Sequence, residues 1–449
     1  MVYHNGQALP VHYAVLTEVF MSNDIVDDSD FVLLQSAMTA LSDISTEHMH
    51  IDRLADTTEN LSALITVAPS IEHATETDLF LVNTVAYMTT AGTDIAPKEI
   101  TRSLGKYKGK RISMEGFKSF VSSIWKTMLE AMIRMWNAAA KFFKALFGLI
   151  PRMRVAMYLI RKKLKDNPGY NDKRPIKMKV ASEIYMLSTN NKAPKDLIKI
   201  NESLDCLVVH ADFYYGEFSE VAKQVYDDVI TGMESFDGGS EDNRLNDISN
   251  DALPLCQRNF PTMYKPENII DSRFTGDYKA GPHLPNNKSV FIKQMPIAQT
   301  TEPILRAESI MANYVTVQPT KENGSAEEWK EREFFTPSAS EILILLEKVE
   351  LMLDKMKDYD KSLEKIYELR DRLIESTNDL VERMEELEGP DMSLRPYYRS
   401  AIRFNSYLTT AYIHPCSQIA NIVFSASRAV IVLCQRAVKT IDPVINHSA

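Results

Sequence analysis

The stretch from Arg102 to Lys165 limits what this chain can fold into more than any other part of it. It carries sixteen Lys or Arg against two acids, Glu115 and Glu130, a formal +14 inside a chain whose total is −10. Such asymmetry between segments says more than a net value. Within it, Phe117, Val121, Ile124, Trp125, Met128, Met132, Met135, Trp136, Ala139, Phe143, Leu146 and Phe147 recur at helical spacing. At 100° per residue they fall on one broad arc. Lys118, Lys126, Arg134, Lys141 and Lys144 project from the other side. Phe117–Phe147 would form a rod about 45 Å long. A cationic amphipathic helix of this kind can lie on an anionic membrane surface, contact a nucleic-acid backbone, or pack as a core helix with a basic outer face.

The preceding hundred residues carry the opposite sign. Met1–Thr101 holds fifteen Asp or Glu against Arg53 and Lys98, a formal −13. Helices are predicted around Asp30–Leu41, Thr46–Ala63 and Glu76–Thr89, each with a Ser, Thr or Asp near its start. An acidic leader that shields the basic helix until it is removed is one reading; two faces of one helical domain is the other. Gly105, Gly109 and the intervening lysines make the connection between them an exposed, protease-accessible link.

The rest of the chain reads as mainly helical. Gly148 and Pro151 are expected to break or kink the basic helix, with a second basic helix from Arg152 to Lys165. From Lys177 to Met233 the pattern is helical, with a hairpin expected near Ala211. A polar loop follows Ser235, and prolines punctuate Ala252–Gln318, where Lys288–Gln294 and Tyr314–Gln318 are predicted strands. Pro337-Ser338-Ala339-Ser340-Glu341 opens a long helix with Ile342, Leu346, Val349, Leu353, Met356, Leu363, Ile366, Leu373, Leu380 and Met384 at 3/4 spacing. It stops at Gly389-Pro390, and a nearly uncharged helix to Ile441 is expected to be buried beside it. The fold class is therefore mainly α, multi-helix bundles with a small β-containing insertion. Five segments are expected: an acidic helical propeptide (1–115), a basic amphipathic segment (116–166), a helical domain (167–250), a Pro-rich β-containing insertion (251–336), and a long helix with a C-terminal bundle (337–449).

Catalytic templates fail. Gly105–Arg111 lacks phosphate-loop spacing, and neither a G-x-S-x-G elbow nor an H-E-x-x-H pair occurs. The four cysteines form no C-x-x-C pair and read as free thiols of a reducing compartment. Cys206 and His210 lie one helical turn apart without a further ligand pair; His48 and His50 are expected to be solvated. Charges interrupt both strongly apolar windows, so neither is a good spanning segment, and no secretory signal is evident. The chain reads as a non-enzyme without cofactor or metal, made in a cytoplasm. An enzyme site scattered over residues 177–335 and a plain helical scaffold are the rival readings.

One string adds a family. Ile112-Ser113-Met114-Glu115-Gly116 stands at the acid-to-base junction, and its small-residue–x–Glu core resembles the cleavage signal of prohead proteases of large tailed bacteriophages. Phe117…Ile124-Trp125, the Lys141-Phe142-Phe143-Lys144-Ala145-Leu146-Phe147-Gly148 ending and the Leu284–Phe291 segment are similar to the internal head proteins of those phages. The resemblance implies a virion protein made in the bacterial host cytoplasm, packaged in the capsid interior, trimmed after Glu115 and delivered into the next host. It implies packaged DNA, the prohead protease and other capsid-interior proteins as partners. A membrane-active effector working through residues 117–147 is the alternative, with a membrane surface as the contact.

Overall fold

Ser338 explains where the longest helical pairing begins. Its hydroxyl accepts from the Glu341 amide, and the Glu341 carboxylate accepts from the Ser338 amide at 2.7 Å, a reciprocal cap. In this computed structural model, which describes residues 3–4, 7–8, 48–58, 60–61, 114–167, 170, 175–180, 182–238, 277–294, 296–320, 332–387 and 389–446, that cap starts α6 (Ala339–Glu386). A 3-10 turn, Gly389–Leu394, reverses the chain into α7 (Arg395–Asn446). α1 (Met114–Asp166) packs against both. The apolar positions predicted for α6, from Ile342 to Met384, are buried.

The predicted break in α1 does not occur: Pro151 lies inside one continuous helix. A proline in a helix interior costs about 3 kcal/mol or more through its missing N–H and its ring. Leu149, Ile150, Met153, Met157, Ile160 and Leu164 keep the buried stripe running through and past it. At about 1.5–3 kcal/mol for each large apolar side chain fully buried, that continuity outweighs the proline. The helical hairpin is also displaced. α3 (Leu197–Tyr215) meets α4 (Glu217–Glu234) at Gly216, not near Ala211. A Cβ at Gly216 would stand 2.6 Å from the Asp212 carbonyl oxygen, so this close turn needs glycine. α3 and α4 lie along α6, to which Lys348–Asp205, Lys355–Asp212 and Arg372–Asp227 pairs attach them.

The β content is larger than expected. β1 (Tyr3–His4) pairs with β2 (Gln7–Ala8). Lys177–Val180, read from sequence as the start of a helical stretch, is β3; it pairs antiparallel with β7 (Arg332–Phe335). Its Lys-Met-Lys-Val alternation puts Met178 and Val180 in the core, the period of a half-buried strand. A short helix, α2 (Ser182–Met186), follows. β4 (Asp277–Leu284), β5 (Lys288–Gln294) and β6 (Val315–Pro319) form an antiparallel sheet in that order, with α5 (Pro303–Met311) between the last two. β5 and β6 are the two strands predicted from sequence. β4 was hidden by Gly281 and Pro282, where its register shifts.

Two Asn-Asn turns hold this sheet to the bundle. Asn190 and Asn191 (φ 51° and 59°) close the Thr189–Lys192 bridge, and Asn286 and Asn287 (φ 61° and 54°) close the β4–β5 hairpin. Asn is among the few residues that tolerate this left-handed region. The Asn287 side-chain oxygen accepts from the Asn191 amide at 2.7 Å, and the Asn286 and Asn287 amides donate to Met186 and Ser188. One hydrophobic cluster then runs from Ile51 to Ile441, with side chains from all five sequence segments. We predict that Asn287→Ala costs about 1–3 kcal/mol, from an orphaned amide and a less tolerant residue at positive φ. Asn286→Gly should be near neutral; denaturant midpoints of the two variants check this.

Candidate functional site

α1 is built in two halves by its sequence pattern, and the structure assigns each half a different environment. The apolar arc is committed to the core. Trp125 and Trp136 are 0% and 1% exposed, and Ile124, Met128, Met132, Met135, Phe142, Phe143 and Leu146 are buried with them. Trp136 sits in a cage of tyrosines, stacked on Tyr412 at 6.1 Å and edge-on to Tyr226 at 6.2 Å and Tyr367 at 6.5 Å. Tyr412 in turn exchanges a 2.8 Å hydroxyl hydrogen bond with Tyr359, and Tyr226 donates to the Leu408 carbonyl. Such aromatic pairs add about 0.5–1.5 kcal/mol each beyond area burial. Inserting this arc into a membrane would require opening the bundle. α7 is the one helix among the described residues long and apolar enough to span a bilayer, and 78% of its apolar window is buried against the other elements.

The charged half of α1 divides again. Lys126 pairs with Glu385 at 3.9 Å, Arg134 with Glu130 at 2.6 Å, Arg161 with Glu350 at 2.6 Å, and Arg154 with Asp354. Three of those four acids lie on α6, which carries fourteen acids against eight bases. Exposed pairs of this sort contribute about 0–1 kcal/mol each and orient side chains more than they stabilise the fold. Lys141, Lys144, Lys162, Lys163 and Lys165 are exposed and make no ion pair among the described residues. At 1.5 Å per residue they span about 36 Å of one helix. From Ala131 to Lys165, α1 contains no acid at all. Lys162, Lys163 and Lys165 belong with Lys141 and Lys144, an extension concealed in sequence by the assumption of a break at Pro151.

Residues 48–58 are helical, as predicted, and meet α1 on its apolar side. Ile51 and Leu54 are fully buried in the common core. The expectation that His48 is solvated is overturned: it is 5% exposed, with its ring 5.5 Å from that of Phe142. Asp52 lies 3.8 Å from His48 and 3.6 Å from His414 of α7, and accepts from the Gln418 amide at 2.7 Å. Burial pushes the His48 imidazole down to about 4, against the opposing pull of Asp52. Burial would raise Asp52, but His48, His414, Lys288 and the Gln418 amide outweigh it and hold the carboxyl below its ordinary range. This described part of the acidic segment is therefore held by apolar burial and a polar anchor on α7. It does not cover the lysines of α1, so charge masking is not what attaches it.

The other predicted residues fall as follows. Met114, Glu115 and Gly116 form the opening of α1, and Lys118 lies in its second turn. Ser113 and the predicted helices at Asp30–Leu41 and Glu76–Thr89 lie outside the described residues. A cut after Glu115 would fall in the first helical turn, the part of a helix that frays most readily. Cys206 and His210 do stand one turn apart, but the His210 Nδ1–H donates to the Cys206 carbonyl at 2.7 Å, which engages that nitrogen within the helix. No three metal-ligating side chains cluster among the described residues.

The fold thus defines a class: a mainly α-helical protein in which long helices bury one core and small antiparallel sheets cap it. The family model of phiKZ-like phage internal head proteins matches residues 40–431, and the chain belongs to that family. Its place is accordingly in the interior of the virion head. No curated protein and no solved structure matches it.

The His48 environment has a pH signature. The folded imidazole titrates near 4 and the unfolded one near 6.5, so the unfolded chain binds more protons between those values. Stability is then complete above about pH 6.5 and falls as pH drops toward 4, by on the order of 3 kcal/mol. Asp52, whose value is depressed, contributes above its unfolded value near 4 and is lost only below that window. Urea unfolding from pH 7 to 4.5 should show the decline, and His48→Gln should flatten it.

Proposed function

We propose that this chain is a non-enzymatic internal protein packaged in the capsid beside the DNA, which its lysine face contacts through phosphates without reading sequence. The observation that supports this best is the row of five exposed, unpaired lysines on the acid-free stretch Ala131–Lys165 of one helix, whose apolar side is already used by the core. Lysine amines on flexible stems suit backbone phosphates at variable distance, and the buried tryptophans are not available to stack on bases. The prohead protease, by this reading, cuts after Glu115, and the piece it releases, Met1–Glu115, carries a formal −9. Delivery into the next host with the genome completes it, other capsid-interior proteins being its neighbours before that.

The test for DNA contact is the salt dependence of binding to unrelated duplexes. Changing Lys141, Lys144, Lys162, Lys163 and Lys165 to Gln should weaken binding to all sequences alike and reduce the slope of log K against log salt by about 4. An unchanged slope would remove the lysine face from the proposal. Mass spectrometry of purified virions tests the trimming: a chain beginning at Gly116 supports it, and an intact Met1–Ala449 chain overturns it.

A further inference from the structure

Away from α1, the start of α7 collects positive charge in a manner that costs the folded chain energy. Arg395, Arg399 and Arg403 follow one another at i, i+4 and i+8 and so share one helix face. All three are half-buried. Arg403 is paired with Glu308 of α5 at 2.8 Å, both side chains 14% exposed. Arg395 and Arg399 have no carboxylate partner among the described residues, and their buried Nε–H groups donate to nothing. Asp391, one turn earlier, is exposed and makes no ion pair with Arg395. The first turn of α7 contains no acid.

Each of these placements is unfavourable by itself. Like charges four residues apart destabilise a helix, cations in the first turn oppose its dipole, and a cation taken partly out of water needs a partner. Burial, and for Arg399 also the two neighbouring guanidiniums, lowers the affinity of these groups for their protons. The lysines of α1 differ in placement, being exposed and spread along the rod. We propose that Arg395 and Arg399, with Arg403 oriented by Glu308, form a binding site for a single phosphate group.

The chemistry selects phosphate over a lone carboxylate. Two unpaired guanidiniums present two forks of parallel N–H donors and a charge of +2, which the several oxygens of one tetrahedral phosphate can meet on both sides; free phosphate near −2 matches the charge in full, and a backbone phosphodiester at −1 in part. One carboxylate would leave a fork unfilled. The group can come from a DNA backbone or from free phosphate, and the site stands whether or not the lysine face of α1 binds DNA.

The test uses the full chain and the thermal midpoint in sodium phosphate against sodium chloride of equal ionic strength. The wild-type midpoint should rise and saturate with phosphate. Arg399→Gln should keep or raise the midpoint in chloride, because a repelled cation is gone, and should lose the saturable phosphate increment; Arg399→Lys should retain part of it. A structural arginine would instead lower the chloride midpoint when replaced. An increment of equal size in wild type and Arg399→Gln, or none in wild type, overturns the site. So does an equal increment from polyglutamate at matched charge, which would make the occupant an acidic peptide. The variant with all five α1 lysines changed should keep the phosphate increment, separating this site from the lysine face. A phosphate increment accompanied by competition from short duplex DNA assigns the source to the backbone; an increment without competition assigns it to the free anion.

Discussion

The burial of one side of α1 between α6 and α7 is the constraint on which the remaining structure depends. Trp125, Trp136, Phe142 and Phe143 are too large to be left in water, and each obliges its neighbours to supply matching surface. α7 answers with Tyr412 and α6 with Tyr359, whose hydroxyls satisfy one another inside the core. Losing a side chain such as Trp136 would forfeit about 3–5 kcal/mol, a large share of what a domain has in total. Because α1 is held on this side, its opposite side is held too, and the exposed lysines are displayed along a stiff axis.

Much of this was legible beforehand because periodicity is a direct record of burial. The 3/4 spacing of α6 and the uncharged second half of α7 predicted their inner faces, and alternating Val290 and Ile292 predicted β5. What could not be read were the positions where tertiary packing outvotes a local rule. Pro151 remains helical because apolar residues on both sides of it have a common surface to cover. Lys177–Val180 becomes a strand because Arg332–Phe335, more than 150 residues later, offers it an edge. His48 looked solvated beside acids, yet its ring is needed against Phe142. Lys141 and Lys144 were identifiable by charge and periodicity, whereas Lys162, Lys163 and Lys165 joined them only through the continuity of α1 past Pro151, and the division into paired and unpaired groups required α6.

The charge distribution then follows from the packing. α6 is rich in acids and neutralises those cations of α1 that fall on its side, leaving the far side with a single sign. Under the proposed function that side is the one that meets phosphates, where contact releases counterions without any requirement for base sequence. The arginines of α7 differ in kind, being partly enclosed and short of negative charge.

The helix at residues 48–58 has a consequence for any cut near Glu115. Its Ile51 and Leu54 are interior residues of the same core as Ile441, so scission would produce a two-piece particle and not a freed fragment. What changes is the order of the reaction: an attachment that was unimolecular, with a high effective concentration fixed by the connecting chain, becomes bimolecular. Departure of the amino-terminal piece would then be governed by dilution, slow in a crowded volume and fast in a larger one.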